Sequence, residues 1–116
     1  MVVREWRARA RDEDLPIYPR HFKEAVIPRL RQLEGFVAAT LLARKLGGEI
    51  EYVVLTRWRS LECVREFAGT EFDKAVVEPV AAMALASYDH HVQHYDVIEE
   101  ATSPEARGHS SNLAIS

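Results

Sequence analysis

The chain has 116 residues, 47% hydrophobic and 28% charged, the balance of a soluble globular domain rather than a disordered one. Fifteen basic against eighteen acidic residues leave a formal charge of −3, a poor electrostatic match for nucleic acid or an anionic membrane. A single cysteine, Cys63, excludes an internal disulfide framework and a thiolate zinc site within one chain, and the longest apolar run, Val80 to Ala86, is too short to span a bilayer.

Arg4, Arg7, Arg9 and Arg11 interrupt any signal-peptide core, so the expected location is the cytoplasm. From Val2 to Ala10 the residues alternate, with Val2, Arg4, Trp6 and Ala8 on one side and Val3, Glu5, Arg7 and Arg9 on the other. Period two predicts a strand, with arginine stems lying along an apolar surface. The arginines are expected to form ion pairs across the sheet, with Glu5 as a partner. A polar break at Arg11–Asp14 follows, in which Asp12 or Asp14 is expected to cap a helix with Pro16 in its first turn. Phe22, Val26, Ile27, Leu30 and Leu33 have helical spacing. Pro28 within that pattern predicts a kink or split near Ile27, and Gly35 ends the helix.

Phe36 to Leu46 predicts a second strand, with Val37, Ala39, Leu41 and Ala43 on one side and Phe36, Ala38, Thr40 and Leu42 on the other. Both sides are apolar, so both are expected to be covered. Gly47-Gly48 is a tight turn, and Glu49 to Trp58 is the return strand of a hairpin. Ser60 then caps a helix that Glu62 or Cys63 opens, with Val64, Phe67 and Ala68 on its buried side. After a break at Gly69-Thr70, a second helical stretch is expected from Glu71 to about Leu85, interrupted at Pro79. The last strand is expected from about Tyr88 to Ile98. Residues 1–100 thus read as one domain and 101–116 as a polar tail, mobile from Thr102, in which Leu113 to Ile115 could dock on a partner subunit.

Strand, helix, strand, strand, helix, strand is the split βαβ or ferredoxin-like order, an α+β fold. Its four-stranded antiparallel sheet carries helices on one face, and its first strand lies between the third and the fourth. The other face, still partly apolar, would be bare in a monomer, which predicts a homodimer through the sheet faces.

The segments REWRARA (Arg4 to Ala10), VIPRLRQLEGFVAATLLAR (Val26 to Arg44), VVLTRWRSLECVREFAG (Val53 to Gly69), AVVEP (Ala75 to Pro79) and VQHYDVI (Val92 to Ile98) resemble the antibiotic biosynthesis monooxygenase family over about residues 2–99. The resemblance implies a dimeric α+β barrel with a pocket between sheet and helices in each subunit. It also implies either oxidation of aromatic polyketides by molecular oxygen without metal or flavin, or, in a separate branch, haem degradation. Trp58 matches the tryptophan that the polyketide-oxidising branch carries at the end of its third strand. The asparagine, tyrosine and arginine that accompany it there fall on Val54, Val64 and Glu78. The haem-degrading set falls near Trp6 or Arg7 and on Phe67 and Val77, and none of it is matched.

Among chemistry-bearing residues, Asp89-His90-His91-Val92-Gln93-His94 is the densest stretch. On a strand His90 and His94 lie about 13 Å apart, too far to share an ion, so no metal site is expected. His94 reads either as a histidine hydrogen-bonded between strands or as a pocket base. In the latter role it would take a proton from an acidic phenol or enol so that the electron-rich anion can react with oxygen. Trp6 and Trp58 read as core or as stacking surfaces for a flat ligand, and Tyr18 and His21 as residues of a pocket mouth. The expected function is a cofactor-independent monooxygenase acting on a small aromatic or polyketide-like molecule, with no cofactor. The alternatives are a non-catalytic small-ligand-binding or stress-response dimer and, third, haem binding through His21 or His94.

Overall fold

A computed structural model describes residues 1–104; the expectation for Leu113 to Ile115 lies outside them. Strands β1 (Val2–Arg11), β2 (Phe36–Leu46) and β3 (Glu49–Trp58) build most of one antiparallel sheet. Helix α1 (Ile17–His21), a π-helical turn (Phe22–Val26) and α2 (Ile27–Arg31) form the first crossover. Helices α3 (Leu61–Ala68) and α4 (Pro79–Met83) belong to the second, and two short strands, β4 (Ser87–Tyr88) and β5 (Gln93–Asp96), close the edge. The order β2-β3-β1-β4, with β5 also on β1, places the first strand between the third and the last, as the ferredoxin-like order requires.

The alternation read in β1 is the alternation of burial. Val2, Arg4, Trp6, Ala8 and Ala10 are buried beneath the helices, while Arg7, Arg9 and Arg11 are exposed on the other face. On β3 the residues buried on the helix side are Ile50, Tyr52, Val54, Thr56 and Trp58, and Glu51 is buried on the other face. Antiparallel register sets Trp6 beside Val54 and Val2 beside Trp58. The core divides in two along this face: one cluster around Trp6, Tyr18, Phe22 and Tyr52, the other around Val2, Leu30, Trp58 and Val64.

Several local expectations are corrected. Neither Asp12 nor Asp14 caps a helix; Asp12–Asp14 forms a 3-10 turn of its own, and α1 begins after Pro16 with no side-chain cap. The split that Pro28 predicts near Ile27, by contrast, is present, because proline has no N–H and its ring crowds the carbonyl four residues back. It takes the form of a turn widened over Phe22–Val26, in which the Ile27 N–H reaches the Phe22 carbonyl five residues back before α2 begins. A register shift between Phe36 and Ala38 bulges out Val37 and turns Phe36 to the helix side, against Trp58. Gly35 does end the first crossover, at φ 84°, where a Cβ would lie 2.2 Å from Cys63 Sγ. Ser60 caps α3, its Oγ accepting from the Cys63 N–H at 3.3 Å.

The stretch from Glu71 to Leu85 is not one helix. Glu78 is extended (φ −73°, ψ 151°), the conformation imposed by the following proline, and only Pro79–Met83 is helical. The last strand is likewise split. Asp89–Val92 leaves the sheet to meet the 73–75 segment, with the Ala75 N–H on His90 O at 2.9 Å and the Val92 N–H on Asp73 O at 2.8 Å.

On the face without helices, Val3, Leu42, Val53, Leu55 and Tyr95 sit among interlocked charges. Arg7 lies 3.4 Å from Glu5 and 3.6 Å from Glu51, Arg44 donates to Glu51 at 2.7 Å, and Arg9 meets Glu49 at 3.8 Å. The hydrogen bond from Arg44 holds the Glu51 carboxyl below the usual range. No helix of the described residues is long and apolar enough to cross a membrane.

Candidate functional site

A cavity of about 70 Å³ opens between the sheet and the two crossovers. Its floor is β1 and β3, through Arg4, Trp6, Val54 and Thr56; α1 and the turn after it supply Tyr18, His21 and Val26. Arg29, Leu30 and Phe67 close one end, and Val76, Val77, Glu78, Ala81 and Val92 close the other. These positions follow from local rules already met: the even phase of both strands selects Arg4, Trp6, Val54 and Thr56, and α1, just ahead of the widened turn, carries Tyr18 and His21.

The aromatic wall is continuous. Trp6 and Tyr18 stand 5.8 Å apart between ring centroids, and Tyr18 stands 6.1 Å from His21 and 5.4 Å from Tyr52, all tilted. The Trp6 indole N–H donates to the Asp89 carbonyl at 2.8 Å, which ties the wall to the loop that splits the last strand. Tyr18 is 4% exposed, and burial pushes its phenol pKa upward, with the neighbouring Tyr52 adding to the shift. The Tyr18 hydroxyl and both His21 nitrogens bond to no described residue.

Trp6, Tyr18 and His21, expected around a pocket, are thus brought together, whereas Trp58 and His94 are not lining residues. Trp58 is wholly buried in the second core cluster, its N–H bonded to Thr56 Oγ1 at 2.9 Å and its ring stacked on Phe67. His94 pairs with Arg4 in register and does face the helix side, but Phe72 packs edge-on against it and Arg4 stands between it and the cavity. Its Nε2 accepts from Arg4 Nη1 at 3.1 Å, so Nδ1 carries the proton and faces Asp73 at 3.4 Å. Burial and the Arg4 charge lower the His94 pKa, with Asp73 opposing in part. A base buried behind Arg4 cannot reach a ligand in the cavity, and His94 holds Arg4 in place instead. Among the described residues no cluster of histidine, cysteine and carboxylate side chains is suited to hold a metal ion.

Arg4 is the residue the sequence reading misplaced. The expected ion pairs across the sheet form at Arg7 and Arg9, with Glu51 and Glu49, while Arg11 meets only its near neighbour Glu13 and Arg4 turns inward and meets no carboxylate. The signal was present: a charge in the phase shared by Val2, Trp6 and Ala8 belongs to the buried face. Arg29 and Glu78, 3.8 Å apart, are further lining residues that periodicity alone did not single out, and Phe67, read as buried, also lines the cavity.

No protein-family model matches the chain, and no curated protein matches it. Among solved structures, a Bacillus cereus protein named as a candidate antibiotic biosynthesis monooxygenase is similar over 88% of this chain and 95% of its own, at 20% identity and a TM-score of 0.60. The haem-degrader MhuD of Mycobacterium tuberculosis, with two haems in its active site, is similar over 88% and 100%, at 20% identity and 0.60. A candidate antibiotic biosynthesis monooxygenase of Deinococcus radiodurans is similar over 89% and 98%, at 15% identity and 0.58. At these identities the likeness is one of fold. It is the α+β fold that the sequence resemblance implied.

Proposed function

We propose that the protein is a cofactor-independent oxygenase of a small, weakly acidic aromatic molecule, working as a cytoplasmic homodimer. The observation that carries this reading is the cavity in which an indole, a phenol and an imidazole meet over an otherwise mostly apolar lining. Such a surface suits a flat ring, and few polar groups compete with it for orientation. His21 replaces His94 as the base, since it lines the cavity with both nitrogens unengaged by any described residue. It takes a proton from an activated ring methylene, and the resulting anion passes one electron to oxygen. The two radicals join as a C–O bond, the peroxide takes its proton back from His21, and loss of water leaves a carbonyl.

At about 70 Å³ the space is well below the roughly 300–1,000 Å³ typical of drug-sized ligand sites. A polycyclic substrate therefore needs the 76–81 segment to move outward, and a haem needs more room still. A non-catalytic carrier of small aromatic molecules is the second reading, favoured by the placement of His94 outside the cavity.

Oxygen uptake with a panel of ring ketones that carry an activated ring methylene, from 2-indanone to anthrone, tests the first reading. Turnover of one of them, falling roughly 10²–10⁴-fold in His21→Ala, is the expected result for loss of a general base. Binding without oxygen consumption would leave the carrier. The dimer is proposed to form through Val3, Leu42, Val53, Leu55 and Tyr95 on the open sheet face, over about 2,000 Å² or more in total. Light scattering at micromolar concentration should give twice the chain mass; a single-chain mass rejects it.

A further inference from the structure

Arg4 carries a buried charge that no carboxylate touches, and Asp73, acting at a distance, offsets only part of the cost of its burial. Its residue is 5% exposed, yet every group touching the guanidinium is neutral. Nη1 donates to the Phe72 carbonyl and to His94 Nε2, Nη2 donates to the Lys74 carbonyl at 2.9 Å, and the Phe67 ring lies 5.6 Å away. Asp73 is held at one remove by the imidazole, its side chain 70% exposed. Removing a guanidinium from water without a counter-ion is costly, and burial accordingly pulls its pKa from 12.5 down to about 10.

The other cavity charges do not fill the gap. Glu78 is already paired with Arg29 at 3.8 Å, both half-exposed, so among the arginines and the carboxylate of the lining Arg4 is the charge left without a direct partner. Of the five guanidinium N–H donors, three are used, which leaves Nε–H and one Nη2–H. A second polar group is similarly open. Tyr18 lines the cavity and bonds to no described residue through its hydroxyl, and since no sealed polar side-chain atom lacks a partner, that hydroxyl is not closed off.

We propose that the cavity is built for a small planar oxyanion, a carboxylate or a ring enolate or phenolate, whose charged oxygen takes the spare donors of Arg4 and the hydroxyl proton of Tyr18. This rests on the cavity being the ligand site, as proposed above, and adds the charge of the ligand and the two residues that select it. The apolar wall of Trp6, Val54 and Val92 holds the ring, and Arg4 and Tyr18 hold the oxygen. A neutral ligand of the same shape fills the wall and leaves the guanidinium uncompensated.

The test uses near-isosteric pairs on the full chain at about pH 8: benzoate against benzamide, and 4-nitrophenolate against 4-nitrotoluene. Binding is read by the change in tryptophan fluorescence, to which Trp6 and Trp58 both contribute, and by the shift in melting temperature. Each anion that fits should bind at least ~10-fold tighter than its neutral twin, the strength of a charged hydrogen bond in a dry site. Preference confined to benzoate assigns a carboxylate ligand, and preference confined to nitrophenolate assigns an enolate or phenolate. Arg4→Gln should abolish the preference and Tyr18→Phe should reduce it several-fold, with the affinity for the neutral twin kept. Because Arg4 also anchors residues 72–74, Arg4→Gln can fail to fold; the wild-type pairs and Tyr18→Phe decide the question without it. Equal binding of anion and twin overturns the oxyanion site while leaving an aromatic cavity in place. Binding of none of the four overturns both.

Discussion

Two tryptophans on neighbouring strands point to the same side of the sheet and meet opposite fates. Trp58 is fully buried, its N–H spent on a threonine two residues away, its faces against Phe67 and Phe36. Trp6 is 9% exposed, its N–H tied to a loop carbonyl, with a cavity along it. Residue type and strand phase are shared, so the difference comes from what lies above. Over Trp58 runs α3, eight residues with a serine cap and a glycine stop. Over Trp6 lie five-residue helices and a widened turn, which cannot interdigitate along their length as a long helix does. Sealed packing and a usable hollow thus sit side by side on one sheet surface.

The sharpest way to break this comparison is to truncate both indoles. Trp58→Ala should lose stability near the upper end of the ~3–5 kcal/mol typical of buried tryptophan, and Trp6→Ala near the lower end, in urea unfolding. Equal losses would mean that the cavity closes around Trp6 in solution. A smaller effect concerns the support behind the cavity. Burial and the Arg4 charge hold His94 below its ordinary pKa of 6.5, so on acidification the unfolded chain takes up this proton before the folded one. The contribution of His94 is therefore complete above about pH 6.5 and is lost as pH falls from there through the lowered folded value. Melting temperatures between about pH 8 and 5 should fall in wild type and fall less in His94→Gln. A flat wild-type profile would show that His94 is not held as described.

Legibility followed the same divide. Strands β1 and β3, the hairpin and the capped helix were readable because alternation, Gly47-Gly48 and Ser60 act locally. Glu71 to Leu85 has helical spacing but contains Val76-Val77 followed by Glu78-Pro79, and the proline forces the residue before it to extend. The split of the last strand depends on a pairing of Lys74 with His91, which no local signal encodes. In the site, Trp6, Tyr18 and His21 were legible from phase and proximity. The side of the cavity wall on which His94 falls depends on the 72–74 segment folded over it, and that segment is held by Arg4 from the far end of the sequence.

The widened turn at Phe22–Val26 sets a rotational phase. Twelve residues separate Tyr18 from Leu30, and at ~100° per residue an unbroken α-helix would place them ~120° apart around its axis. If the wide turn absorbs one residue, the count becomes eleven and the offset shrinks to ~20°. Tyr18 and Leu30 then face the sheet together, each in one of the two core clusters, and both reach the cavity. The cavity is in this sense a matter of chain length as much as of residue identity. A homologue lacking one residue between Phe22 and Val26 could keep every side chain named above and still turn its tyrosine and histidine towards solvent.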